Sequence, residues 1–514
     1  MRVPLDRNNQ TPLYRQIQDF LRSEIRSGAL APGTRLPASR AFAASLAVSR
    51  LTITDAYASL ESEGLVCSRP GSGTYVAAAQ PPVPAHQEPA ADWPLWQQEL
   101  LGHGWLPTQH ELDQLAATSA HAGLISFAAG LGDSSLFPVK QFQRALHEVL
   151  SRDSRAALGY GDRAGYQPLR STIAHILAIH GIQARPEQLL ITSGAQQGLA
   201  LIARLLLRPG DVVLVESPTY AGAIDLFRSL DVRLAGVPVD DEGMRMDLVE
   251  EALRIRQPRL IYTMPTFQNP TGTCLPLGRR RQLLALADRY NVPLVEDEFV
   301  GDLRYDGTAP PPLAALDPGG RVIYMGTFSK MLMPGLRMGY LLAAGPVYDR
   351  LLAYKRVDDL ASSSLIQRAL ETYITIGRYQ AHLQHACQLY RRRRDAMVAA
   401  LRRHLPEDAH WRTPAGGLFI WLRLPRGLNS DALIPFATEE GVAFAPGALF
   451  FGGGRPQPYL RLNFAEHPPE TIAEGIGRLG RAIARGLAQT AEPQMPHAGA
   501  DAEEQSEEIR ADGG

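Results

Sequence analysis

Lysine is close to absent from this chain. Among 52 Lys and Arg side chains in 514 residues, only Lys140, Lys330 and Lys355 are lysine. A guanidinium does not give up its proton, so an amine nucleophile has just three candidates. Cysteine is equally sparse. Cys67, Cys274 and Cys387 are too far apart for a CxxC redox or zinc motif and leave one over in any disulfide scheme, which fits a reducing cytosol. No apolar run reaches the roughly 18–20 residues of a membrane span, and the N-terminus MRVPLDRNNQTPLYRQ lacks a signal peptide's apolar core, so a cytoplasmic protein without a membrane partner is expected. The net charge is −1, so affinity for nucleic acid has to come from local arrangement. What is present is length and apolar content: 514 residues at 45% hydrophobic predict at least two domains.

Residues 1–77 hold nine Arg against six Asp and Glu. Thr11-Pro12 reads as a cap followed by proline at the first helical position, ahead of apolar residues at Leu13, Ile17, Phe20, Leu21 and Ile25. A short helix is expected after Pro37. Ser49 then caps a third helix that buries Ile53, Ala56, Tyr57 and Leu60 and leaves Arg50, Thr52 and Thr54 facing out. Strands at Leu65–Ser68 and Gly73–Val76 flank a turn, Arg69-Pro70-Gly71-Ser72, that reads as a hairpin wing.

Residues 78–118 begin with a Pro/Ala-rich stretch without periodicity and read as a linker and connecting segment. Within 119–486, short apolar runs alternate with helical patterns: LLIT before Ser193, VVLVE, RLIYT, PLVED and RVIYM. That alternation predicts a mainly parallel sheet covered by helices, followed by a smaller α+β domain. Residues 487–514 turn polar and acidic and read as a disordered tail. The run Arg391 to Arg394 reads as the solvated face of an amphipathic helix.

Of the three lysines, Lys140 and Lys355 sit in helix-like stretches, whereas Lys330 follows an apolar strand in GTFSKMLMPGLRMGY. Upstream, Ser193-Gly194-Ala195-Gln196-Gln197 links a strand to a helix, where backbone N–H groups can hold a phosphate. Asp297 closes the strand PLVED. Tyr220 lies in ESPTYAGA, Asn269 in FQNPTG, and Arg461 alternates with Tyr459 and Asn463 on one face of PYLRLNF, toward a cleft or water. Taken singly, each has a plainer reading: a core tyrosine, an Asn-Pro turn, a solvated acid, an exposed arginine.

Taken in order, these segments resemble the fold-type I pyridoxal-phosphate proteins of the aspartate-aminotransferase superfamily. The segment LPASRAFAASLAVSRLTITDAYASLESEGLVCSRPGSGTYV resembles the GntR-type winged helix, and the two together, over roughly 11–486, resemble the MocR-type regulators. The resemblance implies an internal aldimine of pyridoxal 5'-phosphate at Lys330. It places Tyr220 on the ring, Asn269 at the phenolic oxygen, Asp297 at the pyridinium nitrogen, and Thr327, Ser329 and Arg337 at the phosphate with Ser193 to Gln196. Tyr160 would reach the phosphate of a partner subunit, making the protein a homodimer, and Arg461 would take a carboxylate. Arg40, Ser49, Arg50, Thr52 and Thr54 would meet operator DNA, with Arg69 and Gly71 to Gly73 on the wing. An amine or amino acid, or the cofactor itself, would be the effector; an aminotransferase with an accessory DNA module is the alternative. One departure stands out: Phe299 occupies a position where a tyrosine hydroxyl normally meets the phenolic oxygen.

Overall fold

The computed structural model describes residues 3–7, 11–69, 72–77, 123–452, 455 and 457–491. The expected linker at 78–118 and Gly71 lie outside the described residues, as does the tail beyond 491. The chain divides into two compact units, within residues 1–105 and 106–514.

Among its described residues the first unit has three helices, Leu13–Arg26, Ser39–Leu46 and Arg50–Ser62, and a hairpin of Val66–Arg69 with Gly73–Val76. Ile17, Leu21, Phe42, Ile53, Ala56 and Leu60 are buried between them, each large side chain contributing roughly 1.5–3 kcal/mol. Thr11 does not cap the first helix: Pro12 takes the capping position and no side chain bonds the first amides. The second helix stops at Ala47, whose left-handed backbone (φ 51°) makes the tight turn. Ser49 caps the third as expected, its Oγ accepting the Thr52 N–H at 3.1 Å. The first wing strand runs one residue later than predicted, pairing Val66 with Val76 and Arg69 with Gly73.

The second unit is built on a sheet of eight strands among the described residues. Across it lie Leu189–Thr192, Gly339–Leu342, Val322–Thr327, Leu294–Glu298, Leu260–Thr263, Val212–Ser217, Arg233–Asp240 and Gly243–Met244. The five from Val322–Thr327 to Arg233–Asp240 are parallel, while Gly339–Leu342 is antiparallel to both neighbours. Leu189–Thr192, Leu260–Thr263, Leu294–Glu298 and Val322–Thr327 are buried throughout, which is why they read as continuous apolar runs rather than alternating ones. Their carboxyl ends share one edge, where open α/β sheets bind ligands. A smaller antiparallel sheet, His410–Trp411, Phe419–Arg423, Tyr459–Asn463 and Ala445–Pro446, completes the unit.

Two expectations need correcting. The last helix, Pro469–Ala491, continues past residue 487; it buries Ile472, Ile476, Leu479 and Ile483 on one stripe, and the sequence offers no proline to stop it before Pro493. The arginine run is only half solvated. Arg391 and Arg392 are exposed, but Arg393 and Arg394 are buried, Arg393 pairing with Asp133 at 2.6 Å and Arg394 with Asp306 at 2.5 Å. Four successive positions sweep about 300° of a helix, too much for one face. No helix among the described residues is long and apolar enough to cross a membrane.

Candidate functional site

A cavity of about 320 Å³ opens at the carboxyl edge of the large sheet. Lys330 lines it from the turn that follows Val322–Thr327, together with Thr327, Ser329 and Arg337. Ala195 and Gln196 enter from the start of the helix Ala195–Leu206, Tyr220 from the segment after Val212–Ser217, and Asn269, Asp297 and Arg461 from three separate elements. Ten residues singled out from the sequence thus converge on one space.

Asp297 is buried at the strand end. Its Oδ2 accepts the Tyr262 hydroxyl at 2.7 Å, while Oδ1 has no partner. Burial pushes the carboxyl up to about 7 against the opposing hydrogen bond from Tyr262. A cationic ring N–H at Oδ1 would restore the carboxylate. Phe299 also lines the cavity. The two tyrosines that could replace its missing hydroxyl are engaged elsewhere: Tyr262 with Asp297, and Tyr305 with the Gly417 carbonyl.

The strand-to-helix turn is organised differently from expectation at its first residue. The Ser193 N–H donates to Gln197 Oε1 at 2.7 Å and its hydroxyl to Asp359 Oδ2 at 3.3 Å, so Ser193 turns both donors away from the cavity and does not line it. Gly194 follows at φ +101°, where a Cβ would stand 2.9 Å from an Arg337 nitrogen; only glycine fits. Arg337 donates to the Ser193 carbonyl at 3.2 Å. The first amides of the helix at Ala195 then have no helical acceptor and a dipole that favours an anion. Ser329 Oγ is buried without a partner beside them in the lining.

Arg461 faces the cleft, not water, with 3% of its surface exposed. It donates to Asn269 Oδ1 at 3.1 Å and to the Ala128 carbonyl at 2.7 Å, and Nε has no partner. The guanidinium lies over Phe419 and Phe450, 4.2 and 4.9 Å from the ring centroids. Burial presses it down to about 9, still protonated at neutral pH, and no carboxylate among the described residues pairs with it. Sequence reading missed both rings, and also Glu216. That buried carboxyl, pushed up to about 7 by burial, accepts from Thr263, Met264 and Gln268 and so steadies the turn that carries Asn269. An acid in VVLVES gave no hint of this, since its partners lie on another strand.

The orphaned atoms provide a test of fit for pyridoxal phosphate. Asp297 Oδ1 suits a protonated ring nitrogen, and Ser329 Oγ with the helix amides suits a phosphate; the residues fit the group. Tyr160 is 90% exposed and does not line its own chain's cavity. In the first unit Arg40, Ser49, Arg50 and Thr54 are exposed and Thr52 is half-buried. The Thr52 hydroxyl meets Ser49 Oγ at 2.8 Å and the Thr54 hydroxyl donates to the Arg50 carbonyl at 3.0 Å. Arg69 stacks on Tyr75 at 5.2 Å, and Gly73 takes φ +123° on the wing.

Residues 125–479 match the family model for aminotransferase class I and II, and residues 13–76 match that for bacterial regulatory proteins of the gntR family. MocR of Rhizobium meliloti, a probable rhizopine catabolism regulatory protein, is 33% identical over 93% of this chain and 95% of its own length. Aromatic-amino-acid aminotransferase 1 of Thermococcus litoralis is 38% identical over 73% of this chain and 90% of that one. Among solved structures, the α-aminoadipate aminotransferase LysN of Thermus thermophilus, in complex with N-(5'-phosphopyridoxyl)-L-leucine, is similar at 36% identity. It has a TM-score of 0.71 and covers 77% of this chain and 99% of that one. The chain therefore belongs to the MocR-type regulators, in which a GntR-family winged helix is joined to a class I and II aminotransferase domain whose cofactor is pyridoxal phosphate.

Proposed function

We propose that this chain is a transcription regulator that senses an amino acid in its pyridoxal-phosphate pocket. The observation that carries the effector class is Arg461, a buried cation that shares a cavity with Lys330 and has no carboxylate partner among the described residues. A buried charge without a counter-ion is costly; a ligand that brings both a primary amine and a carboxylate answers it, whereas a simple amine does not.

When bound, pyridoxal phosphate supplies an aldehyde that captures primary amines and a ring that draws electrons from them. Lys330 would tether it, Asp297 would keep the proton on the ring nitrogen, Tyr220 would pack against the ring and Asn269 would donate to the phenolic oxygen. The amides at Ala195 and Gln196, with Ser329, Thr327 and Arg337, would hold the phosphate. A homodimer completes the site through Tyr160 of each chain, and the exposed Leu158, Val357 and Leu360 supply apolar surface for such a contact. Arg40, Ser49, Arg50, Thr52 and Thr54 read the major groove, with Arg69, Gly71 and Gly73 at the minor groove. The effector switches DNA affinity only so far as it favours one conformer of the dimer over another.

The likeness to aromatic-amino-acid aminotransferase 1 favours a second reading, an enzyme with an accessory DNA module. Phe299 weighs against it. Operator binding should be measured with the cofactor-loaded protein across amines and amino acids, alongside turnover with 2-keto acids. Amino acids should shift DNA affinity, and Arg461→Gln, held saturated with pyridoxal phosphate, should abolish the shift. Equal responses to carboxylate-free amines would overturn the effector class. A response to pyridoxal phosphate alone would make the cofactor the signal, and brisk turnover without any effect on DNA would favour the enzyme.

A further inference from the structure

The strand-to-helix turn is held from behind by a charged pair that does not line the cavity. Lys355 has no exposed surface. Its Nζ donates to the two oxygens of Asp359 at 2.6 and 2.8 Å and to Ser362 Oγ at 3.0 Å. The same Asp359 accepts from the Gln197 amide at 2.9 Å and from the Ser193 hydroxyl at 3.3 Å. Gln197 in turn accepts the Ser193 N–H. Ser193 is therefore fixed at three points, its N–H and hydroxyl from this side and its carbonyl by Arg337. Directly after it come Gly194 and the first amides of the helix, where the cavity begins.

Charge explains why the pair is a pair. A carboxylate standing behind an anion-binding turn opposes the anion, the more so away from bulk water. An adjacent ammonium cancels that field. Burial pushes the Asp359 carboxyl up, but the hydrogen bonds from Lys355 and Gln197 outweigh it and leave the group below the usual carboxylate range. It is therefore ionised at neutral pH, and its charge has to be balanced.

We propose that Lys355 and Asp359 are positioning residues for the cofactor's phosphate: together they hold the Ser193–Gln197 turn and keep the charge behind it near zero. Neither touches the cofactor; both act through Ser193 and Gln197. The inference rests on the reading of this cavity as a pyridoxal-phosphate site, and phosphate-free pyridoxal separates the two.

The test measures equilibrium binding of pyridoxal phosphate and of pyridoxal to the full-length chain and to Lys355→Met, Asp359→Asn, Ser193→Ala and the Lys355→Met/Asp359→Asn double variant. Lys355→Met should weaken pyridoxal phosphate about tenfold or more while changing pyridoxal less than about twofold. The double variant, free of the stranded charge, should recover most of the affinity. Ser193→Ala removes one hydroxyl link without stranding a charge, so it tests the same coupling where Lys355→Met does not fold; it should lose a few-fold on the phosphate ligand only. Equal losses for both ligands, or none, would overturn the proposal. An unmutated chain that binds neither ligand would instead overturn the pocket reading.

Discussion

The Tyr262 hydroxyl donates to Asp297 Oδ2 at 2.7 Å, and the other oxygen of that buried carboxyl is left without a partner. The tyrosine therefore favours the ionised acid against burial, which is what a ring nitrogen needs opposite it. Tyr262→Phe should raise the Asp297 carboxyl above its present value near 7. A lost hydrogen bond to a buried charge costs on the order of 1–3 kcal/mol, so cofactor affinity should fall by roughly five- to 150-fold. Pyridoxal and pyridoxal phosphate should lose equally, since the ring and not the phosphate is affected. Unchanged dissociation constants would refute this role.

Phe299 should leave its mark on the colour of the bound cofactor. With Tyr262 and Tyr305 engaged elsewhere, Asn269 is, among the described residues, the donor assigned to the phenolic oxygen. Phe299→Tyr should lower the pH at which the visible absorbance titrates and speed any reaction with an amino acid. A titration curve that does not move would remove the support for a pocket tuned away from catalysis.

Borohydride reduction of the loaded protein should fix the cofactor on the peptide containing Lys330, and Lys330→Ala should abolish the label. Lys355 is buried with its ammonium on Asp359 and Ser362, and Lys140 is exposed on a helix and does not line the cavity. Label recovered on either peptide by mass spectrometry would contradict the assignment.

The cofactor-free chain should lose stability as pH rises from about 5 to 7. Asp297 and Glu216 near 7, and Glu298 near 8, are all raised by burial. The folded chain thus keeps protons that unfolded carboxyls release near pH 4, and each proton so retained lowers stability by about 1.4 kcal/mol per pH unit across the window. Pyridoxal phosphate should flatten the slope by holding Asp297 ionised. Thermal melts of both forms across this range provide the check, and stability that rises toward pH 7 would contradict it.

Arg50→Ala should weaken binding to the cognate operator more than binding to random DNA, because Arg50 is exposed at the opening turn of the Ser49-capped helix. Equal losses in a gel-shift titration would reduce it to a phosphate contact.

The sequence made the large sheet legible because strands buried on both faces are unbroken apolar runs, and the residues at their carboxyl ends fall on one edge once the strands are parallel. Partners chosen by strand order were not legible. Tyr262 stands opposite Val295 on the next strand, so Asp297 is two residues along on the same face, a neighbour that only the register reveals. Ser193 was expected among the phosphate-binding residues, yet its N–H goes to Gln197 and its hydroxyl to an aspartate 166 residues later. Arg393 and Arg394 seemed solvated because their counter-ions, Asp133 and Asp306, lie far off in the chain.

The hydrogen bond from Arg461 to Asn269 joins the small sheet to a loop of the large one. For anyone redesigning the pocket, this couples two adjustments that look separate. Changing Arg461 to alter which effector is accepted also releases the Asn269 carbonyl, and with it the orientation of the amide beside the cofactor ring. Retuned specificity then arrives together with an altered grip on the cofactor, and library designs that vary the two positions jointly sample combinations that single-site libraries leave out.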